Sequence, residues 1–153
     1  SFTEKYPYRF KITGRTKNFI NACGEELIVD NAIKAFEKVC PITNSMISEY
    51  TAAPLFIKET NETTHQWIME FEKEPEDFSL FCDLFDKALQ GTNSDYEAKR
   101  YKDFVLKKPQ IIKVPKGTFY HWLKSKGKLG GQHKVPRLSN ERTFIEEILK
   151  QIQ

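Results

Sequence analysis

The sequence predicts an α+β fold: a split βαβ, ferredoxin-like antiparallel sheet with helices packed on one face, plus extra C-terminal helices. Three observations carry that prediction. Residues 8–13 alternate apolar and polar side chains at period two, the pattern of a half-buried strand. Two further strand-like runs, 47–57 and 66–71, are joined through the polar stretch 59–64 and read as a hairpin. Apolar residues recur at helical spacing between and after these strands. The order is therefore strand, helix, strand, strand, helix, strand, then more helices.

Gly14 interrupts the first strand, and residues 17–21 return as a short second one before Gly24. Leu27, Ile28, Ala32, Ile33, Phe36 and Val39 then fall at helical spacing. Asp30 or Asn31 is placed to cap that helix, and Pro41 is expected to stop it. Pro54 marks the next strand as an edge or a bulge, because proline cannot donate to a ladder. Trp67, Met69 and Phe71 share one side of the strand that follows. Pro75 is expected in the first turn of a helix whose apolar stripe is Phe78, Phe81, Cys82, Phe85 and Leu89, ended by Gly91. Ser94-Asp95-Tyr96-Glu97 fits a capping box for a short basic helix. A strand over 111–114 precedes a helix over 118–126 with Phe119, Trp122 and Leu123 inward. A last amphipathic helix over 140–152 uses Phe144, Ile145, Ile148 and Leu149.

Composition narrows the function classes. With 153 residues, 39% hydrophobic and 13% aromatic, the chain has the size of one domain and the apolar content of a packed core. No apolar run approaches the roughly 20 residues of a membrane helix, and no basic-then-apolar signal opens the chain, so no membrane partner is expected. Cys23, Cys40 and Cys82 are odd in number, widely spaced and free of any CxxC pair. They read as reduced thiols of a cytoplasmic protein, not as a disulfide frame or a zinc site. An opening at Ser1-Phe2 without methionine, close to a strand, is expected of a piece of a longer protein.

Net charge is only +3, yet residues 99–137 hold 12 Lys or Arg against the single acid Asp103. Such segregation favours an anionic partner over a merely solvated face only if a motif supports it. The candidate is GKLGGQHKVPRL, residues 127–138, where Lys128, His133, Lys134 and Arg137 surround the permissive pair Gly130-Gly131. It is either a solvated linker or an arm that handles an anion. It is not a P-loop, since Gln132 stands where the second glycine is required, and no strand feeds it as a dinucleotide fingerprint needs. His65, His121 and His133 are too scattered for a metal triad. Glu25-Glu26 reads either as a catalytic carboxylate pair or as a charged helix entry favoured by the dipole. Nucleic-acid binding is disfavoured because the strand containing Trp67 lacks the glycine-aromatic pattern of an RNA-recognition strand and ends acidic.

Two segments give a more specific reading. Thr13-Gly14-Arg15-Thr16-Lys17-Asn18, running on to Gly24, resembles the hinge motif of adenylate-forming enzymes. Asn93-Ser-Asp-Tyr-Glu-Ala-Lys-Arg100, Gly117-Thr-Phe119 and Gly131-Gln-His-Lys-Val-Pro-Arg137 together resemble the C-terminal domain of the auxin-responsive (Gretchen Hagen) acyl-acid amido synthetases, in their bacterial form. The resemblance runs from about Tyr8 to the end. It implies that residues 1–153 are the mobile lid domain, with a hinge at about 13–18, of an enzyme that adenylates a carboxylic acid with ATP and conjugates it to an amino acid. It also implies that the partner is the enzyme's own N-terminal adenylation domain, which would bind most of the ATP and its Mg2+, and that the lid alone is inactive. Lys134 matches the family's lid lysine and Arg15 the hinge arginine near the nucleotide ribose and phosphate. Lys17 falls at the pivot. Gln132 and Arg137 flank the lysine and either hold its loop or touch phosphate. The alternative is a stand-alone ferredoxin-like module that binds a nucleotide or another anionic metabolite.

Overall fold

The computed structural model describes residues 19–127 and 136–152. The strand expected over 8–13 and the hinge at 13–18 lie outside the described residues, as do Arg15, Lys17, Gln132 and Lys134. A short antiparallel ladder joins β1 (Phe19–Ile20) to β2 (Leu27–Ile28), and α1 (Val29–Thr43) follows. The hairpin strands are β3 (Met46–Ile57) and β4 (Glu62–Lys73). They are succeeded by α2 (Phe78–Thr92), α3 (Ser94–Arg100), β5 (Gln110–Val114), α4 (Thr118–Ser125) and α5 (Thr143–Gln151).

The class is α+β, with helices packed on a sheet and two helices at the C-terminal end. β3 pairs antiparallel with β4, placing Ala52 opposite Trp67 and Leu55 opposite Thr64. The turn between them uses Asn61 at φ 59, a left-handed conformation that asparagine tolerates well. β5 then lies directly beside β4 in parallel, with Ile111 opposite Trp67. The βαβ unit is thus closed by adjacent strands, not split by a third one among the described residues. Helices also cover both faces instead of one, and β4 supplies the reason. Its residues are buried continuously from Thr64 to Phe71, as expected of a central strand apolar on both sides. Trp67, Met69 and Phe71 face the cluster built with α1 and α2, while Ile68 joins Val114, Phe119, Trp122, Ile145 and Ile148 on the α4–α5 side.

Aromatic packing organises the first cluster. Phe85 meets Trp67 edge-on with centroids 4.9 Å apart, and Phe36 stacks on Phe85 at the same separation. Each such pair adds about 0.5–1.5 kcal/mol beyond burial.

The helix ends depart from the expected breakers. Pro41 sits inside the last turn of α1, which runs on to Thr43 and closes at Asn44 with φ 54. A left-handed residue terminates the helix more decisively than a proline whose missing donor forfeits one bond. Asn31 does act at the start, but from the third position, where its Oδ1 accepts from the Ile28 N–H at 3.0 Å. Pro75 precedes α2, which is capped by Asp77 accepting from the Leu80 N–H at 3.1 Å. Asn93, one residue ahead of the expected Ser94, caps α3 by accepting from the Tyr96 N–H at 2.8 Å.

Candidate functional site

The basic stretch re-enters the described structure at Pro136, and from there it is fastened to β3. The Thr51 hydroxyl donates to the Pro136 carbonyl at 2.6 Å. The Ala52 N–H donates to the Arg137 carbonyl at 2.9 Å, and the Ser139 N–H returns a bond to the Ala52 carbonyl at 3.1 Å. Leu138 is fully buried between them in the main cluster, which favours the docked segment by about 1.5–3 kcal/mol. Arg137 itself pairs with Glu49, and its guanidinium lies 4.9 Å from the centroid of the Tyr50 ring. These contacts hold the Arg137 side chain against β3.

The hinge side arrives at the same place. The Asn21 N–H donates to Asn140 Oδ1 at 2.8 Å, a bond between residues 119 apart in sequence. Asn21 Oδ1 in turn accepts from the Gly24 N–H at 2.7 Å, where φ is +98 and a Cβ would lie 3.5 Å from the Lys99 side chain. The residues just beyond the expected hinge and those just beyond the expected arm are therefore neighbours. Of the five predicted site residues, Arg137 is described; Arg15, Lys17, Gln132 and Lys134 are not.

Glu25 and Glu26 do not form a catalytic carboxylate pair, nor is Glu25 a charged helix entry, since α1 begins only at Val29. Glu25 is completely buried. Its Oε2 meets His65 Nε2 at 2.5 Å and accepts from the Ala22 N–H at 2.9 Å, while Oε1 accepts from the Cys23 N–H at 2.7 Å. Burial by itself would raise its pKa. The His65 bond and the two amides outweigh that effect and hold it at about 2. An ionised Glu25 requires the proton of His65 on Nε2, and the buried Nδ1 has no hydrogen-bond partner. His65 is thus a packing histidine that clamps the hinge exit to β4. A carboxyl group whose folded pKa is depressed stabilises the fold above its ordinary value, here 4.5, and that contribution fades as pH falls towards 2. The contribution is on the order of 3 kcal/mol. Denaturant titrations between these pH values should show Glu25→Gln with a flatter acid limb than the parent; parallel limbs would contradict it.

The motif residues 93–100 and 117–119 serve the architecture. Asp86 on α2 accepts from the Tyr96 hydroxyl at 2.8 Å and from Arg100 Nε and Nη2 at 2.9 and 2.5 Å, so α3 is bolted to α2. Burial would lower the pKa of Arg100, but its bonds to Asp86 and Asp103 raise it further above its ordinary value. Glu70 caps α4 by accepting from the Phe119 N–H at 3.0 Å and from the N–H of Gly117, whose φ is +92, at 3.1 Å. Sequence reading missed Asp86, Glu70 and the Glu25–His65 pair. Their one signal is a charged residue interrupting an apolar face, as Asp86 does beside Phe85 and Leu89. Among the described residues no three His, Cys, Asp or Glu are placed to hold a metal ion, and no helix is long and apolar enough to cross a membrane.

The sequence profile of the GH3 family C-terminal domain matches residues 28–143. No curated protein sequence matches the chain. Among solved structures, one titled GH3.15 acyl acid amido synthetase superposes with a TM-score of 0.64 at 18% identity, covering 89% of this chain and 25% of that one. Another, AtGH3.15 acyl acid amido synthetase in complex with 2,4-DB, gives 0.65 at 15% identity, covering 90% and 26%. At these identities the likeness is one of fold, and the chain spans about a quarter of each of those two structures. The profile runs from β2 into the first residue of α5, and the fold agrees with it. The chain belongs to the GH3 family, as a C-terminal domain of that family.

Proposed function

We propose that this domain is the mobile lid of an ATP-dependent acyl-acid amido synthetase, working on a nucleotide and an acyl acid held mainly by an N-terminal adenylation domain of the same polypeptide. The observation that carries the reading is the bond from Asn21 to Asn140. It fastens the exit of the hinge segment to the root of the basic arm, so rotation about one would move the other as a unit.

In the first half-reaction a carboxylate oxygen of the acid attacks the α-phosphorus of ATP. A P–O bond forms to give the acyl-adenylate, and the bond from the α-phosphorus to the bridging oxygen breaks, releasing pyrophosphate. In the second, the amino-acid nitrogen attacks the acyl carbon and loses a proton, and AMP departs as the amide forms. Two anions must approach in the first step, so a cation is required where charge accumulates. Lys134 is assigned that role. Arg15 is assigned to the ribose and phosphate, Gln132 and Arg137 to the arm or a phosphate oxygen, and Lys17 to the dihedral change of the pivot. The Mg2+ expected with ATP is assigned, with most of the nucleotide, to the N-terminal domain, as the family resemblance implies.

The test uses the full-length protein, a panel of carboxylic acids and radiolabelled pyrophosphate. Acid-dependent exchange into ATP, followed by amide formation on adding amino acids, is the expected result. ATP binding without exchange for any acid would replace the lid reading with that of a nucleotide-binding module.

A further inference from the structure

We propose that the groove between α1 and β3, at the root of the arm, is the surface on which the N-terminal domain of the same polypeptide docks. The inference rests on the lid reading for the identity of the occupant. Ile33, Phe36, Cys40, Met46, Ile47 and Arg137 line the groove, which encloses about 380 Å³. Ile33 and Met46 are 44% and 56% exposed, although each would lose water-accessible apolar area on being covered. Arg137, fixed by Glu49 and the Tyr50 ring, supplies a charged rim. An apolar floor with a polar rim is the anatomy of a protein interface.

The chain path identifies the occupant. Arg137 is three residues before Asn140, and Asn140 holds Asn21, where the chain emerges from the hinge segment. Whatever precedes the hinge is tethered at this edge of β3. The matched structures are about three and a half times as long as this chain, which corresponds to a C-terminal domain of that family. A short tether gives the attached domain an effective concentration of about millimolar, well above that of a second copy in dilute solution. An arm that must reach into the other domain also needs the surface at its root to face that domain.

Cys40 reports on the groove directly. In the full-length protein, its alkylation by iodoacetamide is followed by peptide mass spectrometry in the parent, in Ile33→Glu and in Met46→Glu. Both positions are surface-exposed enough for the variants to fold, and thermal unfolding verifies it. Both variants are expected to label Cys40 about tenfold faster, the population change that loss of one interfacial anchor produces. The introduced carboxylate disfavours a nearby thiolate, so acceleration reads uncovering of the groove and not activation of the thiol. Equal labelling rates in parent and variants would overturn the proposal. So would protection that disappears on dilution together with a dimeric mass by light scattering, which would make the occupant a second copy. Protection with no pyrophosphate exchange would leave the docking surface standing and remove the amido synthetase reading.

Discussion

In the full-length protein, Lys134→Ala is expected to slow acid-dependent pyrophosphate exchange by about two to three powers of ten, the usual effect of deleting one group that stabilises transition-state charge. The substrate carboxylate and the α-phosphate both carry negative charge as they approach, and the charge the carboxylate gives up on bonding leaves with pyrophosphate, so negative charge crowds the reacting phosphorus throughout. A lysine suits a lid because its ammonium is a compact charge on a long flexible stem, able to arrive and withdraw with the domain. Its reach is bounded by the described structure: two residues later, Pro136 accepts the Thr51 hydroxyl, and the chain is held to β3 from there. Lys134→Arg keeps the charge but changes its shape, and is expected to recover part of the loss. Exchange at the parental rate in Lys134→Ala would remove this residue from the reaction.

The largest effect on stability is expected at Asp86, a residue with no assigned part in the chemistry. Asp86→Ala leaves the Arg100 guanidinium, only 8% exposed, without its principal counter-ion, and leaves the Tyr96 hydroxyl without its acceptor. Breaking a buried pair by removing one partner costs about 3–5 kcal/mol, because the remaining charge stays desolvated. The damage should spread along the chain. Arg100 Nη1 also donates to the Leu106 carbonyl at 3.0 Å, and Leu106 forms a parallel bridge to Thr63 of β4. Replacing both partners, as in Asp86→Leu with Arg100→Met, is expected to restore much of the loss, since a well-packed apolar pair substitutes readily for a buried ion pair. Urea unfolding of the single and double variants measures the difference. A double variant no more stable than Asp86→Ala would show that the pair contributes through geometry apolar packing cannot replace.

What the sequence disclosed was chiefly what is local. The hairpin of β3 and β4 and the stripe of Phe81, Phe85 and Leu89 on α2 follow from periodicity, which a single segment carries by itself. Helix ends were less legible because several residues at each end could cap or break. Asn44, Asp77 and Asn93 took the roles expected of Pro41, Pro75 and Ser94, and backbone geometry decided among them. The parallel contact of β4 with β5 could not be read, since strand neighbourhood depends on how α2 and α3 cross the sheet. Buried charges were hidden for a related reason. Asp86 finds Arg100 14 residues away and Glu25 finds His65 40 residues away, so neither looks satisfied in its own segment. At the candidate site, the clustering of basic residues around Lys134 stands in the sequence, while the roles expected of Lys134, Gln132, Arg15 and Lys17 come only from family resemblance. The bond that ties their two segments together spans 119 residues and leaves no periodic trace.

The docked segment after the arm has a second consequence, for solubility. Among the described residues β3 is the outer strand of its sheet, and an outer strand offers unpaired backbone groups on which another chain can build. Here three alternate residues in the middle of that rim, Tyr50, Ala52 and Pro54, are occupied. The Tyr50 carbonyl accepts from Arg137, Ala52 is bonded through both its N–H and its carbonyl, and Pro54 has no N–H to offer while its carbonyl accepts from Arg142 at 2.9 Å. A polypeptide ending at residue 127 would lose these closures except the proline and expose a template for intermolecular β-pairing. The segment that seats the arm therefore also protects the protein from its own aggregation.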